Sequence, residues 1–133
     1  MPTRMFVNLP VRDLPKAKAF YTALGYTINP QFTNDDAACV VISETIYVML
    51  LVHPFFSTFT PKAICDTAQQ TEAILCLSAD DKAGVDALAE RALAAGGGEP
   101  KPVQDLGFMY GRSFTDLDGH HWEVMCMSGP PPH

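Results

Sequence analysis

The segment DLDGHHWEVM, residues 116–125, carries side chains suited to metal binding or proton transfer. As a strand it places His121, Glu123 and Met125 on one face, because successive side chains of a strand point to opposite sides. Positions i and i+2 lie about 7 Å apart along a strand, so His121 and Glu123 would need further ligands to hold a metal ion. An imidazole titrates at about pH 6.5, which makes His121 a candidate proton carrier.

The dipeptide Asp118-Gly119 is typical of a tight hairpin turn. We expect His120, next to this turn, to be partly exposed and hydrogen-bonded. Centring the turn on residues 117–118 predicts how the strand faces the one before it. The predicted facing pairs are Arg112 with Glu123, Phe114 with His121 and Tyr110 with Met125.

This pairing leaves two interpretations open for each polar residue. Glu123 is either the ion-pair partner of Arg112 or a general base or ligand. His121 is either a proton carrier or an inert ring packed against Phe114. Arg112 could instead present its planar guanidinium to an anionic group of a ligand. Tyr110 is either a half-buried strand aromatic or a residue whose hydroxyl orients a substrate oxygen.

The elements that must position these residues follow the same order in both halves of the chain. An alternating strand, MFVNLPV, precedes a helix that Asp13 caps and Gly25 ends, and AILCLS precedes a helix capped by Asp80 or Asp81. Further strands are predicted at 26–33, 37–43 and 45–52, and at 101–105, 107–115 and 120–127. The period of roughly 67 residues indicates a duplicated βαβββ module and an α+β fold.

We predict a single domain, residues 1–133, with four segments. These are a first module at 4–52, a linker at 53–71, a second module at 72–127 and a loose tail at 128–133. Thr60-Pro61 is a typical helix start and predicts a short helix near 61–67 in the linker.

Composition excludes several classes of function. The net charge is −6 and the pI is near 5.0, with scattered basic residues, which argues against nucleic-acid binding. The longest wholly apolar run has seven residues, far fewer than the roughly 20 that a membrane span needs. Four cysteines without a C-x-x-C pair and no visible secretory signal favour buried thiols in a reducing cytoplasm.

Two segments resemble a known family. FVNLPVRDLPKAKAFYTALGY resembles the first strand and helix, and FTDLDGHHWEVM the last hairpin, of the glyoxalase/bleomycin-resistance/extradiol-dioxygenase superfamily, also called vicinal oxygen chelate proteins. PKAICDT and GFMYGRSF are similar to a small bacterial glyoxalase-like subgroup. The resemblance implies the glyoxalase/bleomycin-resistance/dihydroxybiphenyl dioxygenase fold, in which two modules form a barrel-like cup around a small-molecule ligand, and a homodimer.

The resemblance also implies four inner positions that bind one divalent ion in metal-using members. In this sequence they are Phe6, Met49, Ile74 and Glu123. Phe and Ile cannot coordinate, and a thioether suits only soft metals. If any metal binds, Glu123 is its ligand, but three protein ligands are the usual minimum. We therefore predict no cofactor.

Three functions follow, and whether the protein is an enzyme stays open. The favoured one is binding of a small organic ligand, with an anionic group as one option. The predicted ligand-binding residues are Asn8, Phe6, Met49, Arg112, Phe114 and Met125. The alternatives are a metal-dependent lyase or extradiol-type dioxygenase that uses Glu123, and a metal-free acid/base enzyme. The predicted catalytic residues are Glu123, His121 and Tyr110.

Overall fold

The computed structural model describes residues 2–129, so most of the predicted tail at 128–133 lies outside the described residues. The chain divides into two compact units, Met1–Asp66 and Thr67–His133. Each unit contains one four-stranded sheet and one long helix in βαβββ order, which confirms the predicted α+β fold and its two similar modules. Among the described residues, no helix is long and apolar enough to span a membrane.

The first unit is built on a sheet of strand order β1-β4-β3-β2. Its elements are β1 (Met5–Val11), α1 (Leu14–Ala23), β2 (Thr27–Asn29), a 3-10 turn (Pro30–Phe32), β3 (Ala37–Val41) and β4 (Ile46–Val52). The Asp13 carboxylate caps α1 by accepting a hydrogen bond from Lys16 N at 3.0 Å, as predicted. Strands β1 and β4 are parallel, and their register places Phe6 beside Tyr47 and Asn8 beside Met49.

Helix α1 covers one face of this sheet and forms its core. Phe20 and Tyr21 of the helix are buried, as are Leu9 and Val48 of the strands. Strand alternation sends Phe6 and Asn8 to the opposite face. On that face Phe6 is 54% exposed.

The second unit has strand order β5-β8-β7-β6. Its elements are β5 (Ile74–Ser78), α3 (Lys82–Ala94), β6 (Gln104–Asp105), β7 (Met109–Thr115) and β8 (His121–Met127). The Asp81 carboxylate caps α3 by accepting a hydrogen bond from Gly84 N at 2.8 Å. Gly96 ends this helix region with φ +100°, a conformation that favours glycine.

The short helix predicted near 61–67 is wrong. The linker helix, α2, spans His53–Phe56 instead, and residues 61–67 contain no helix. Pro54 lies in the first turn of α2, where its missing N–H costs nothing, and the helix follows β4 directly.

The predicted pairing of β7 with β8 is wrong by one residue. Thr115 pairs with His121, Phe114 with Trp122 and Ser113 with Glu123. The turn is one residue longer than predicted, because the Asp116 carboxylate accepts hydrogen bonds from Asp118 N and His120 N at 3.0 and 2.9 Å. Gly119 closes this turn with φ +87°. A shift of one residue moves every side chain of a strand to the other face of its partner.

Candidate functional site

The face of the first unit's sheet opposite α1 holds a cavity. Its volume is about 530 Å³, and carbon atoms dominate its walls. The predicted ligand-binding residues Phe6, Asn8 and Met49 all line it. The structure thus brings together the predicted ligand-binding residues of the first module. The other residues lining this aromatic cavity are Arg4, Asn29, Phe32, Cys39, Tyr47, Leu51, Phe55 and Phe59.

Aromatic rings are arranged in pairs around the aromatic cavity. Phe6 and Tyr47 stack with ring centroids 4.9 Å apart and planes 12° apart. Phe55 and Phe59, from α2 and the residues after it, meet edge to face at 5.2 Å. Phe59 and Phe32 are 55% and 64% exposed, so apolar rings face solvent around the opening. Exposed rings grouped around a concave surface are typical of a binding site.

Few polar groups reach the aromatic cavity. The Asn29 side chain accepts a hydrogen bond from Gln31 N at 3.0 Å and so is partly used for local structure. The Tyr47 hydroxyl donates to the carbonyl oxygen of Glu44 at 3.0 Å. Cys39 is 2% exposed, and burial raises the pKa of its thiol, so it is protonated at neutral pH and serves as apolar lining.

A second group of functional side chains lies in the second unit, on the sheet face opposite α3. This Glu123 face carries Ser113, His121, Glu123 and Met125, with Cys76 next to Glu123 on the neighbouring parallel strand. Lys101 Nζ lies 2.6 Å from Glu123 Oε2, and His121 Nε2 lies 3.4 Å from the same oxygen. Neither contact has hydrogen-bond alignment, so these two buried atoms of His121 and Glu123 keep unused hydrogen-bonding capacity.

Glu123 has two neighbours, Lys101 and Cys76, that the sequence pattern did not indicate. The pairing of β5 with β8 could have identified Cys76, because two parallel strands of known register place it beside Glu123. Lys101 lies in the loop after helix α3, and nothing in its local sequence indicates an ion pair with Glu123. A small cavity of about 90 Å³ lies against Cys76, Lys101, Glu123 and Met125.

The charges around Cys76 act on its thiol. Burial raises the pKa of Cys76, the Glu123 carboxylate raises it further, and the Lys101 ammonium lowers it. The thiol is therefore a weak nucleophile at neutral pH, although the residue is exposed.

The predicted pairing of Arg112 with Glu123 is wrong. Arg112 lies on the α3 side of the sheet, where Nη1 is 3.3 Å from Asp86 Oδ1 and 3.0 Å from Glu90 Oε1. Its Nη2 is 3.0 Å from Glu99 Oε2. Burial disfavours the charge, but the hydrogen bonds donated to these three carboxylates outweigh it and raise the pKa of Arg112 above its usual value. This guanidinium is engaged within the protein rather than presented beside Glu123.

Tyr110 and Phe114 are also displaced from their predicted positions. The Tyr110 hydroxyl donates to Asp86 Oδ1 at 2.7 Å, and this hydrogen bond raises the pKa of the phenol. Phe114 is fully buried and stacks on Trp122, with ring centroids 6.3 Å apart. Both residues lie on the α3 side because the hairpin is shifted by one residue, so neither shares a face with Glu123.

His120 was expected to be partly exposed, but it is 1% exposed. Its Nδ1 lies 2.5 Å from Glu72 Oε1. The Thr67 hydroxyl donates to the carbonyl oxygen of Asp118 in the same turn. The hydrogen bonds of His120 therefore hold the hairpin turn against the segment before β5.

The four positions that the resemblance assigns to a metal ion do not fit one. Phe6 is stacked on Tyr47, and Ile74 has no donor atom. Met49 offers only a thioether, and Glu123 lies at ion-pair distance from Lys101. Within residues 2–129, no group of three or more His, Cys, Asp or Glu side chains is placed to hold a metal ion.

Comparisons with known proteins agree with this architecture. Residues 3–43 match the family described as bleomycin resistance protein-like N-terminal. A hypothetical protein from S. aureus is 30% identical, with 95% of each chain covered and a TM-score of 0.79. A glyoxalase-related enzyme from Fulvimarina pelagi is 20% identical over 100% of this chain and 94% of its own, with a TM-score of 0.80.

A glyoxalase/bleomycin resistance protein/dioxygenase family enzyme from Burkholderia phytofirmans PsJN is 17% identical. The alignment covers 95% of this chain and 99% of that chain, with a TM-score of 0.77. No functionally curated protein matches the sequence.

Proposed function

Because this chain belongs to the glyoxalase/bleomycin-resistance/dioxygenase (vicinal oxygen chelate) superfamily, we propose that it binds a small organic molecule in the aromatic cavity of its first unit. The single observation that carries this proposal is the cavity of about 530 Å³ lined by Phe6, Tyr47 and Met49. Sites for small molecules typically have volumes of roughly 300–1,000 Å³ and mostly apolar walls with a few polar groups.

The residues lining the cavity support an apolar ligand. The stacked pair Phe6–Tyr47 offers a flat apolar surface, and Met49 adds an adaptable thioether side chain. Burying apolar surface contributes roughly 25 cal/mol per Å², so contact with these rings can account for binding without covalent or metal bonds. Binding without a metal ion is supported by the lack of metal-ligating atoms at Phe6 and Ile74 and by the thioether at Met49, which leave Glu123 as the one oxygen ligand of the four positions.

Thermal unfolding in the presence of a library of aromatic and aliphatic molecules, both neutral and anionic, tests this function. A ligand at 100 times its Kd raises the free energy of unfolding by about 2.7 kcal/mol, a shift of several degrees in Tm. We expect hits that bind at one molecule per chain in calorimetric titration and that bind equally well after treatment with a chelator.

Two variants identify the site. Met49→Ala and Phe6→Ala should weaken the hits about tenfold or more. Met127→Ala removes a methionine that is 45% exposed and does not line the aromatic cavity, so it should leave them unchanged. Equal losses in all three variants, or no hits at all, would refute the proposed function.

A second candidate function is acid/base catalysis on the Glu123 face, favoured by the contacts of Glu123 with Lys101 and His121. In this candidate, Glu123 takes a proton from the carbon beside a carbonyl group, and the electron pair moves to the carbonyl oxygen. The Lys101 ammonium donates a hydrogen bond to that oxygen as charge develops. The protonated Glu123 carboxyl group exchanges its proton with solvent water and then returns a proton to the carbon, which restores the carbonyl group and the carboxylate.

Exchange of the methylene and methyl protons of hydroxyacetone in D₂O, followed by NMR, tests this candidate. Acceleration by the wild-type protein that disappears in Glu123→Gln and persists in Glu44→Gln supports it, since Glu44 lies in a loop of the first unit. A rate equal to that of buffer with the wild-type protein eliminates catalysis of this exchange.

A further inference from the structure

We propose that the ligand of the aromatic cavity is a planar aromatic molecule that carries an anionic group, with the ring against Phe6 and the anion at Arg4. This inference rests on the proposed function and assigns a chemical class to the same site. Two independent observations carry it: the geometry of the aromatic pairs and the placement of one arginine.

The first observation is the flat surface formed by Phe6 and Tyr47. Their planes differ by 12° and their centroids lie 4.9 Å apart, so Tyr47 supports Phe6 from one side. Phe6 is nevertheless 54% exposed, which leaves ring surface accessible to a ligand. Aromatic rings stack best on other planar rings, and each such pair contributes beyond the area that it buries.

The second aromatic pair restricts the ligand further. Phe55 and Phe59 meet at 82°, and both line the same cavity as Phe6. A planar ring lying on Phe6 can receive edge contacts from rings of this kind. A bulky aliphatic group gains only the free energy of burying its apolar surface. The pairing of one stacked and one edge-on arrangement therefore favours a flat molecule.

The second observation concerns charge. Arg4 lines the aromatic cavity next to Phe6, and it forms no ion pair with another residue in the described part of the chain. Arg112, by contrast, donates to three carboxylates. A guanidinium without a carboxylate partner beside an apolar cavity can donate two parallel hydrogen bonds to a carboxylate, phosphate or sulfonate.

The overall charge of the protein makes a preference for an anionic ligand a sign of a local cation. The protein carries a net charge of −6, so the mean field around it repels anions. Tighter binding of an anion than of a neutral ligand of the same shape therefore requires a local cation. Arg4 is the residue that the structure places at the cavity for this role.

Four probes separate the effects of shape and charge: 2-naphthoate, 2-naphthamide, trans-decalin-2-carboxylate and trans-decalin-2-carboxamide. Titration calorimetry on the wild-type chain should give 2-naphthoate the lowest Kd. Replacing the carboxylate by the amide should raise the Kd about five- to tenfold, because the bond to Arg4 loses its charge. Saturating the rings should raise it about three- to tenfold.

Variants assign each effect to a residue. Arg4→Gln should remove the advantage of naphthoate over naphthamide, whereas the control Arg12→Gln, an arginine that does not line the cavity, should keep it. Phe6→Leu should remove the advantage of naphthyl over decalin probes while retaining an apolar side chain. Because Phe6 is exposed, this variant is expected to fold, and Phe32→Leu provides a second test at another exposed ring.

The outcomes distinguish this inference from the proposed function. Decalin probes that bind as tightly as naphthyl probes, or amides that bind as tightly as acids, would overturn the inference while leaving a ligand-binding cavity. Binding that survives both Phe6→Leu and Met49→Ala would instead overturn the proposed function. If Arg12→Gln loses as much of the preference for naphthoate over naphthamide as Arg4→Gln does, the preference reflects the overall charge of the protein. That result would overturn the assignment of the anion to Arg4.

Discussion

Lys101 Nζ lies 2.6 Å from Glu123 Oε2, on the sheet face opposite the one that holds Arg112. The two basic residues therefore form ion pairs with different carboxylates. Arg112 links β7 to helix α3 and to Glu99, while Lys101 neutralises the carboxylate on the Glu123 face. This division of charges leads to the first two predictions.

Replacing Arg112 by Met should lower the stability of the fold without lowering ligand affinity. The variant leaves Asp86, Glu90 and Glu99 without their shared cation. Because these carboxylates are partly exposed, we expect a loss of about 2–3 kcal/mol, somewhat below the usual cost of breaking a fully buried pair. Urea denaturation measures the loss, and titration of a cavity ligand measures the affinity. A stable Arg112→Met variant that no longer binds ligand would contradict the placement of Arg112 away from the ligand.

The reactivity of Cys76 should report the charges beside it. Since Glu123 raises the pKa of this thiol and Lys101 lowers it, Glu123→Gln should speed alkylation by iodoacetamide at pH 7.5 and Lys101→Met should slow it. Mass spectrometry of peptides gives the rate at Cys76, with Cys65 as the internal control. Opposite changes in the two variants are expected, and changes of the same sign would exclude this electrostatic arrangement.

Alkaline pH should weaken the fold through Tyr110. Its hydrogen bond to Asp86 raises the pKa of the folded phenol above the ordinary value of 10.0 for tyrosine. Between that value and the higher folded pKa, the unfolded chain loses a proton that the native chain keeps. The free energy of unfolding, which has the full contribution of this hydrogen bond below pH 10, therefore falls as the pH rises through this range. Urea denaturation from pH 8 to 11 should show a steeper decline for the wild type than for Tyr110→Phe. Parallel curves would show that Tyr110 titrates alike in both states.

Gly119 should tolerate alanine much less well than Gly107 does. Both have positive φ, +87° and +86°, so both alanines carry the cost of a left-handed backbone. A Cβ at Gly119 would lie 2.5 Å from the Thr67 carbonyl oxygen, whereas one at Gly107 meets nothing within 4 Å. We expect Gly119→Ala to cost about 1–3 kcal/mol more in thermal unfolding. Equal costs would mean that the turn is not held against Thr67.

The sequence by itself determined the order of the strands and of the two long helices, and the faces of single strands. Phe6 and Asn8 are two positions apart in the alternating strand MFVNLPV and so share a face, where both line the aromatic cavity, and Asp13 caps its helix as the pattern predicts. These features depend on neighbours a few positions away, such as a cap and the amide three residues on. The repeated order of elements likewise predicted two βαβββ units.

Only the tertiary structure decided which distant residues meet. The Asp116 carboxylate and the packing of Gly119 on Thr67 lengthen the hairpin turn by one residue, and this single step moves Arg112, Tyr110 and Phe114 to the α3 side. The partners of Arg112 and the approach of Lys101 to Glu123 depend on where a helix and a loop cross the sheet. Local propensities do not contain that information, because side-chain alternation has a period of two and turns that differ by one residue satisfy it equally well.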